Sequence, residues 1–296
     1  DTDTGPDVEK VTNPFNKLTN RQFDDFSSFE LLTRANELSL AFEYDQLLSL
    51  SNSRINLEPY QVQCVHKVIN APEQRFLIAD DVGLGKTIET GMILKELEAR
   101  ERAERVLIVS PAPLAKQWER ELSEKFDQNF WVYDSNRVED IKNNISRHSK
   151  VWNHNDRVIT SIDYIKQDHV KPMLRDVEWD LIIFDEAHKL SKTEDKETQR
   201  YKVGSMLADN CENLLLLTAT PHNGDRYRFW KLLQLIDKYM FKDPNMISKD
   251  RLRDVMVRRG KENILDAEGN PVFKTRNIDT LPVSFTEEEQ ELYYSV

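Results

Sequence analysis

The chain has 296 residues, 39% hydrophobic and 31% charged, enough to bury a substantial core beneath a heavily charged surface. Its formal net charge of −11 excludes a global positive field that would draw it onto a polyanion, so any nucleic-acid contact must come from a local patch. No apolar run approaches membrane-spanning length and no signal peptide opens the chain, so no membrane role is expected. The two cysteines, Cys64 and Cys211, show no metal-ligand spacing and suit a reduced, cytoplasmic compartment.

Residues 1–26 are polar, carry Pro6 and Pro14, and read as a mobile lead-in. The opening Asp1-Thr2-Asp3, without Met, points to a piece of something longer. Over 27–56 a helical extension is expected, because Phe29, Leu31, Leu32, Ala35, Leu38, Phe42, Leu47 and Leu48 recur at threes and fours before Ser51-Asn52-Ser53-Arg54 breaks the pattern. Pro59 then suits the first turn of a helix over 60–70.

From there strands and helices alternate. Strands are expected at 75–79, 105–109, 130–133, 157–161, 180–185 and 213–218, and helices at 86–101, 113–126, 136–147, 163–174, 197–209 and 225–238. Six buried-looking strands separated by amphipathic helices argue for an α/β fold with a doubly wound, mostly parallel sheet, over 57–240. His222 reads as a surface residue. Beyond Asp243-Pro244, over 241–296, the pattern loosens into an extension and hinge: a basic stretch from Arg251 to Lys261, a turn at Glu268-Gly269-Asn270-Pro271, and a strand over 281–285. A capping box of Thr286 with Glu289 follows, opening a helix that the chain stops inside.

Two stretches carry chemistry. Asp80-Asp81-Val82-Gly83-Leu84-Gly85-Lys86-Thr87 lies between the apolar run 75–79 and a good helix pattern, the context a phosphate-binding loop needs. Its glycines let backbone N–H groups converge on phosphate oxygens, with Lys86 reaching the β- and γ-phosphates and the Thr87 hydroxyl on Mg²⁺. One departure is plain: Asp80 stands where the first glycine of the pattern belongs. The second stretch is Asp185-Glu186-Ala187-His188, which ends the apolar run 179–184 and so puts two carboxylates at the carboxyl end of a buried strand. Asp185 is placed to hold Mg²⁺ and Glu186 to deprotonate an attacking water. Together the two stretches describe an ATP site.

With Pro59-Tyr60-Gln61, Ser110-Pro111-Ala112-Pro113-Leu114, Gln117-Trp118, Thr160-Ser161 and Leu217-Thr218-Ala219-Thr220-Pro221, this order of motifs resembles the first RecA-like lobe of superfamily-two motors. Within that group it is most similar to the Swi/Snf-type double-stranded DNA translocases, and especially to bacterial members such as the RNA-polymerase-recycling and antiphage-defence ATPases. An aspartate at the first loop position is a habit of that family. The resemblance covers about residues 27–296.

The resemblance implies that Gln61 reads the adenine, although an exposed glutamine at a helix start is the competing reading. It implies that Ser110, Pro111 and Lys116, and separately Thr160 and Ser161, contact the DNA backbone; each hydroxyl could instead be a plain N-cap. Thr218 and Thr220 would couple nucleotide state to DNA grip, with His188 sensing the γ-phosphate region. Trp118 reads as core packing, and Arg258-Arg259 as a basic pair before the inter-lobe hinge or a solvated charge run.

The expected function is therefore the ATP- and Mg²⁺-binding lobe of a DNA-dependent ATPase that tracks duplex DNA. It would need arginines from a second RecA-like lobe and be nearly inactive alone. Two rivals remain: a strand-separating DNA or RNA helicase, and an ATP-gated protein-interaction module within a larger complex.

Overall fold

The computed structural model describes residues 55, 57–145, 150–190, 192, 197–221, 224–264, 270–273, 285, 286, 289 and 290. The lead-in, the helical extension before residue 55, His222, half of the turn at 268–271 and most of the strand over 281–285 lie outside them.

Seven strands form one sheet in the order β3-β4-β2-β5-β6-β1-β7, every pairing parallel. They are β1 (Arg75–Ile78), β2 (Val106–Ser110), β3 (Trp131–Tyr133), β4 (Arg157–Ser161), β5 (Trp179–Phe184), β6 (Cys211–Leu217) and β7 (Met256–Val257). The helices are α1 (Pro59–Ile69), α2 (Lys86–Ala99), α3 (Ala115–Phe126), α4 (Ser135–Asn144), α5 (Ile162–Ile165), α6 (Lys171–Arg175), α7 (Gln199–Asp209), α8 (Arg226–Ile236) and α9 (Lys249–Val255).

The central strands carry long apolar runs, broken only near their ends by residues such as Asp180, Glu212 and Asn213, because parallel strands are covered on both faces. Successive side chains alternate between those faces. Leu77, Leu107, Val109, Ile182, Phe184, Leu214 and Leu216 join a core completed by Leu207, Leu232 and Leu233 of α7 and α8. Their neighbours Phe76, Ile78, Ile108 and Ile183 are equally buried, on the side served by Val65, Val68, Met92, Ile93, Leu97 and Leu122 of α1, α2 and α3. Full burial of such side chains contributes about 1.5–3 kcal/mol each before the entropy of ordering them is set against it. The result is the doubly wound α/β lobe expected from the alternation.

Two expectations are corrected. The single helix over 163–174 is two short ones, α5 and α6, because Pro172 has no N–H for a bond to residue 168 and its ring is accommodated only in the first turn of α6. The stretch 251–261 is not a loosened basic run: α9 and then β7 occupy it, and β7 pairs with β1 through Leu77↔Met256 and Ile78↔Val257. That makes seven strands among the described residues, where the alternation predicted six. The capping box is present, with Thr286 N donating to Glu289 Oε2 at 2.9 Å and Glu289 N to Thr286 Oγ1 at 3.4 Å.

Candidate active site

In an all-parallel sheet the carboxyl ends of the strands share one edge, where open α/β folds bind ligands. β6 separates β1 from β5, with Ile78 level with Leu217 and Phe184 level with Leu216. The loop after β1 and the acidic pair after β5 therefore leave the same edge, about two strand spacings or ~10 Å apart.

The loop is shaped by Gly83 and Gly85, whose φ values of 86° and 88° are left-handed. Gly85 is the N-cap of the 14-residue α2 and supplies no side-chain cap, so the first-turn N–H groups face the edge without a capping oxygen. That is the anion-accepting arrangement of a helix N-terminus. Lys86 Nζ donates to the carbonyls of Asp80 at 2.8 Å and Asp81 at 3.2 Å, which folds the ammonium back along the loop. Leu84 is buried, while Val82 at the tip is 73% exposed. Gln61, 5% exposed, donates from Nε2 to the Leu84 carbonyl at 3.0 Å, so its amide braces the loop from α1 and is not an exposed helix-start group.

Asp80 and Glu89 are each 0% exposed, and both meet Arg259, which follows β7. Arg259 Nε lies 3.0 Å from Asp80 Oδ2 and its backbone N 2.8 Å from Oδ1. Nη2 reaches both carboxylates, and Nη1 donates to the Tyr60 carbonyl. Burial pushes the Glu89 carboxyl up to about 8 although Arg259 pulls it down. The loop is further strapped by Asp81 N donating to Arg259 O at 3.1 Å and Lys261 N to Asp81 Oδ2 at 3.1 Å. The basic pair is thus split: Arg258 is exposed, and Arg259 is an internal counter-ion of the loop.

On the acidic side, Asp185 N donates to Val109 O at 2.8 Å, extending the β5 ladder by one residue. Glu186 takes a left-handed φ of 51°, uncommon for a residue with a side chain, which turns the chain sharply out of β5. Asp185 Oδ1 accepts from Glu186 N at 2.8 Å, and Oδ2 from Trp118 Nε1 at 2.9 Å. Burial raises the Asp185 carboxyl above its usual range, opposed by those two bonds and by the charge of Lys86. His188 Nδ1 lies 3.1 Å from Glu186 Oε2 and 3.0 Å from Thr218 Oγ1, so one ring nitrogen faces both groups. Thr218 Oγ1 also accepts from Thr220 N at 3.2 Å, and Thr218 N donates to Ile78 O at 3.1 Å. A short chain of contacts therefore runs from Glu186 through His188 to the segment after β6.

The hydroxyl of Thr87 and the carboxylate of Asp185 are hard oxygen donors, which fits Mg²⁺, an ion that takes one or two protein oxygens and leaves the rest to water and phosphate. Among the described residues no group of three or more His, Cys, Asp and Glu side chains could hold a metal by itself.

The expected nucleic-acid contacts divide. Ser110 and Ser161 are paired in register across β2 and β4, so both turns share the edge. Lys116 is exposed, and Pro111 and Ser161 are half-buried. Ser161 Oγ caps α5 by accepting from Tyr164 N at 3.1 Å. Ser110 and Thr160 are each 0% exposed; Thr160 Oγ1 donates to Tyr133 O at 2.8 Å and Ser110 Oγ to Pro111 O at 3.2 Å. These two hydroxyls are committed inside the fold. Trp118, 4% exposed, is buried as expected, but its bond to Asp185 was not foreseen. The sequence hint that Arg259 is an internal counter-ion is the aspartate in a glycine position, since a buried acid requires a cation.

The SNF2-related domain model matches residues 60–293. RNA polymerase-associated protein RapA of Photobacterium profundum is 33% identical over 264 residues, covering 88% of this chain and 26% of that protein. The RapA of Serratia proteamaculans is 31% identical over 286 residues, covering 90% and 29%. The chain thus spans about a quarter of the length of these relatives. The Sulfolobus solfataricus SWI2/SNF2 ATPase core in complex with dsDNA shares the fold, with a TM-score of 0.58 at 22% identity, covering 73% of this chain and 47% of that one. The chain belongs to the SNF2-related domain family and has the form of the first RecA-like lobe of a Snf2-type, superfamily-two motor.

Proposed function

We propose that this chain is the ATP-binding and hydrolysing lobe of a DNA-dependent motor that tracks double-stranded DNA in the bacterial cytoplasm. The observation that carries this reading is the convergence of the uncapped loop of Asp81–Thr87 and the Asp185-Glu186 pair on one edge of the sheet, flanking the end of β6. The loop N–H groups and Lys86 would bind and orient the phosphates, and Gln61 would brace the loop beside the adenine. Glu186 takes a proton from water, which attacks the γ-phosphorus in line as the bond to the β-phosphate oxygen breaks. Thr87 and Asp185 would hold Mg²⁺, whose chemistry is to neutralise charge on the phosphate oxygens. His188, touching both Glu186 and Thr218, would report hydrolysis to the segment bearing Thr220.

Pro111, Lys116 and Ser161 present the accessible groups for a phosphodiester backbone, the inward-turned Ser110 and Thr160 shaping the turns beneath them. One relative is associated with RNA polymerase by name and one structural neighbour was solved with dsDNA, so duplex DNA and a protein assembly are the proposed partners. A second lobe would supply arginine fingers worth about 10³–10⁵ in rate, so the 296 residues tested alone are expected to turn over slowly. Among the described residues no helix is long and apolar enough to cross a membrane.

The test is ATP hydrolysis and movement by the full chain paired with its second lobe. Lys86→Ala is expected to abolish both, and Glu186→Gln to retain bound, uncleaved ATP. Triplex displacement without strand displacement supports duplex tracking; strand displacement points to a helicase, and hydrolysis unaffected by Glu186→Gln removes the assigned base.

A further inference from the structure

We propose that Trp118 is a positioning residue for the divalent cation: its indole N–H fixes the carboxylate of Asp185 in the orientation that receives the metal. The inference rests on the nucleotide-site reading above and adds a residue that neither the loop nor the acidic pair contains.

The geometry is that of a carboxylate held at both ends. Oδ1 accepts from Glu186 N at 2.8 Å and Oδ2 from Trp118 Nε1 at 2.9 Å, so rotation of the group about its own axis breaks one bond or the other. An ionised carboxylate offers about four acceptor directions. Two are occupied here, leaving each oxygen capacity for a cation or its water shell. Without the indole, only the backbone of the adjacent residue would orient the group.

Burial alone does not demand this bond. Trp152 and Trp179, 0% and 2% exposed, keep their Nε1 atoms without a hydrogen-bond partner, so this fold accommodates an unpaired indole N–H. The pairing at Trp118 is therefore a feature of the carboxylate it serves.

Trp118 is itself rigidly placed. It sits in the first half of α3, with Leu122 and Phe126 buried below it on the same helix. Phe126 packs so closely on Gly91 of α2 that a Cβ at Gly91 would overlap its ring. α3 is thus anchored on the helix that begins at Lys86 and, about two turns earlier, on Asp185. One helix sets the distance between the phosphate side and the metal side of the site. Groups that orient a metal ligand from behind typically change metal affinity by about 10–100-fold when removed.

The test separates this role from packing. Trp118→Phe keeps an aromatic ring and loses the donor; a benzothiophene side chain at the same position keeps the indole shape and removes only the N–H. Binding of a non-hydrolysable ATP analogue to the full chain is measured calorimetrically as Mg²⁺ is raised, and again in excess EDTA. The expected result is that half-maximal tightening needs about tenfold more Mg²⁺ or above in both variants, with metal-free affinity and Tm unchanged in the benzothiophene variant. An unchanged Mg²⁺ requirement in the benzothiophene variant overturns the proposal, and so does an equal loss of metal-free affinity, which marks a packing role. If the unsubstituted chain binds no nucleotide, or binds it without any Mg²⁺ effect, the reading of the site falls and this inference with it. Failure of the inference alone is recognised by a Mg²⁺-dependent parent whose variants match it.

Discussion

The guanidinium of Arg259 closes on the carboxylate of Asp80, 179 residues earlier, with Nε 3.0 Å from Oδ2. Asp80 takes the place of a glycine that needs no partner, and its site beneath the loop is wholly buried. An isolated carboxylate there would carry a desolvation cost of several kcal/mol. The loop after β1 is consequently completed by β7 and the turn that follows it.

Removing the cation should therefore be far more damaging than removing the whole ionic cluster. Arg259→Leu is expected to cost about 3–5 kcal/mol, because Asp80 stays buried without its counter-ion and Glu89 loses its hydrogen-bond donor. Adding Asp80→Asn and Glu89→Gln in the same chain should return at least half of that loss. Denaturant midpoints of the three proteins measure it.

Gln61 donates to the Leu84 carbonyl, and on the proposed function it acts through the loop and not through the base. Gln61→Ala is expected to weaken ATP and GTP binding alike, by about fivefold, the worth of one hydrogen bond of ~1 kcal/mol. A loss confined to ATP would instead mark direct adenine reading. Competition titrations with both nucleotides decide between them.

Gly91 lies inside α2, where alanine would ordinarily favour the helix by about 1 kcal/mol. Here the Phe126 ring occupies the space a methyl would need. Gly91→Ala should destabilise by about 1–3 kcal/mol, against its helix propensity, and Gly91→Ala with Phe126→Leu should recover part of the loss. Thermal unfolding of both variants is the measurement.

Thr218→Val keeps the shape of the threonine and removes the oxygen that His188 Nδ1 faces at 3.0 Å. On the proposed function, DNA-stimulated hydrolysis should fall by about 10- to 100-fold, the scale of a supporting contact at an active site, while nucleotide affinity holds. Parallel ATPase assays with and without duplex DNA, beside nucleotide titration, test the separation.

Most of the sheet was legible because doubly covered parallel strands produce unbroken apolar runs, as in Leu214–Leu217 and Leu181–Phe184. The loop and the acidic pair were legible because their backbone demands, two left-handed glycines and a sharp exit from a strand, leave a local signature. What escaped has no such local trace. β7 is two residues long between arginines, and pairing with β1 decides its state. Pro172 divided a helix whose apolar spacing continued across it. Arg259 and Trp118 are defined by partners far away in sequence, and composition around them resembles any charged turn or amphipathic helix.

The short seventh strand also decides how the protein may be trimmed. Ending the chain near Met240, where the obvious motifs stop, would strip β1 of its outer neighbour and leave a raw row of amide and carbonyl groups open to self-association. It would simultaneously strand an acid under the phosphate loop. A minimal piece must run past Lys261 to keep both the sheet edge covered and the loop braced.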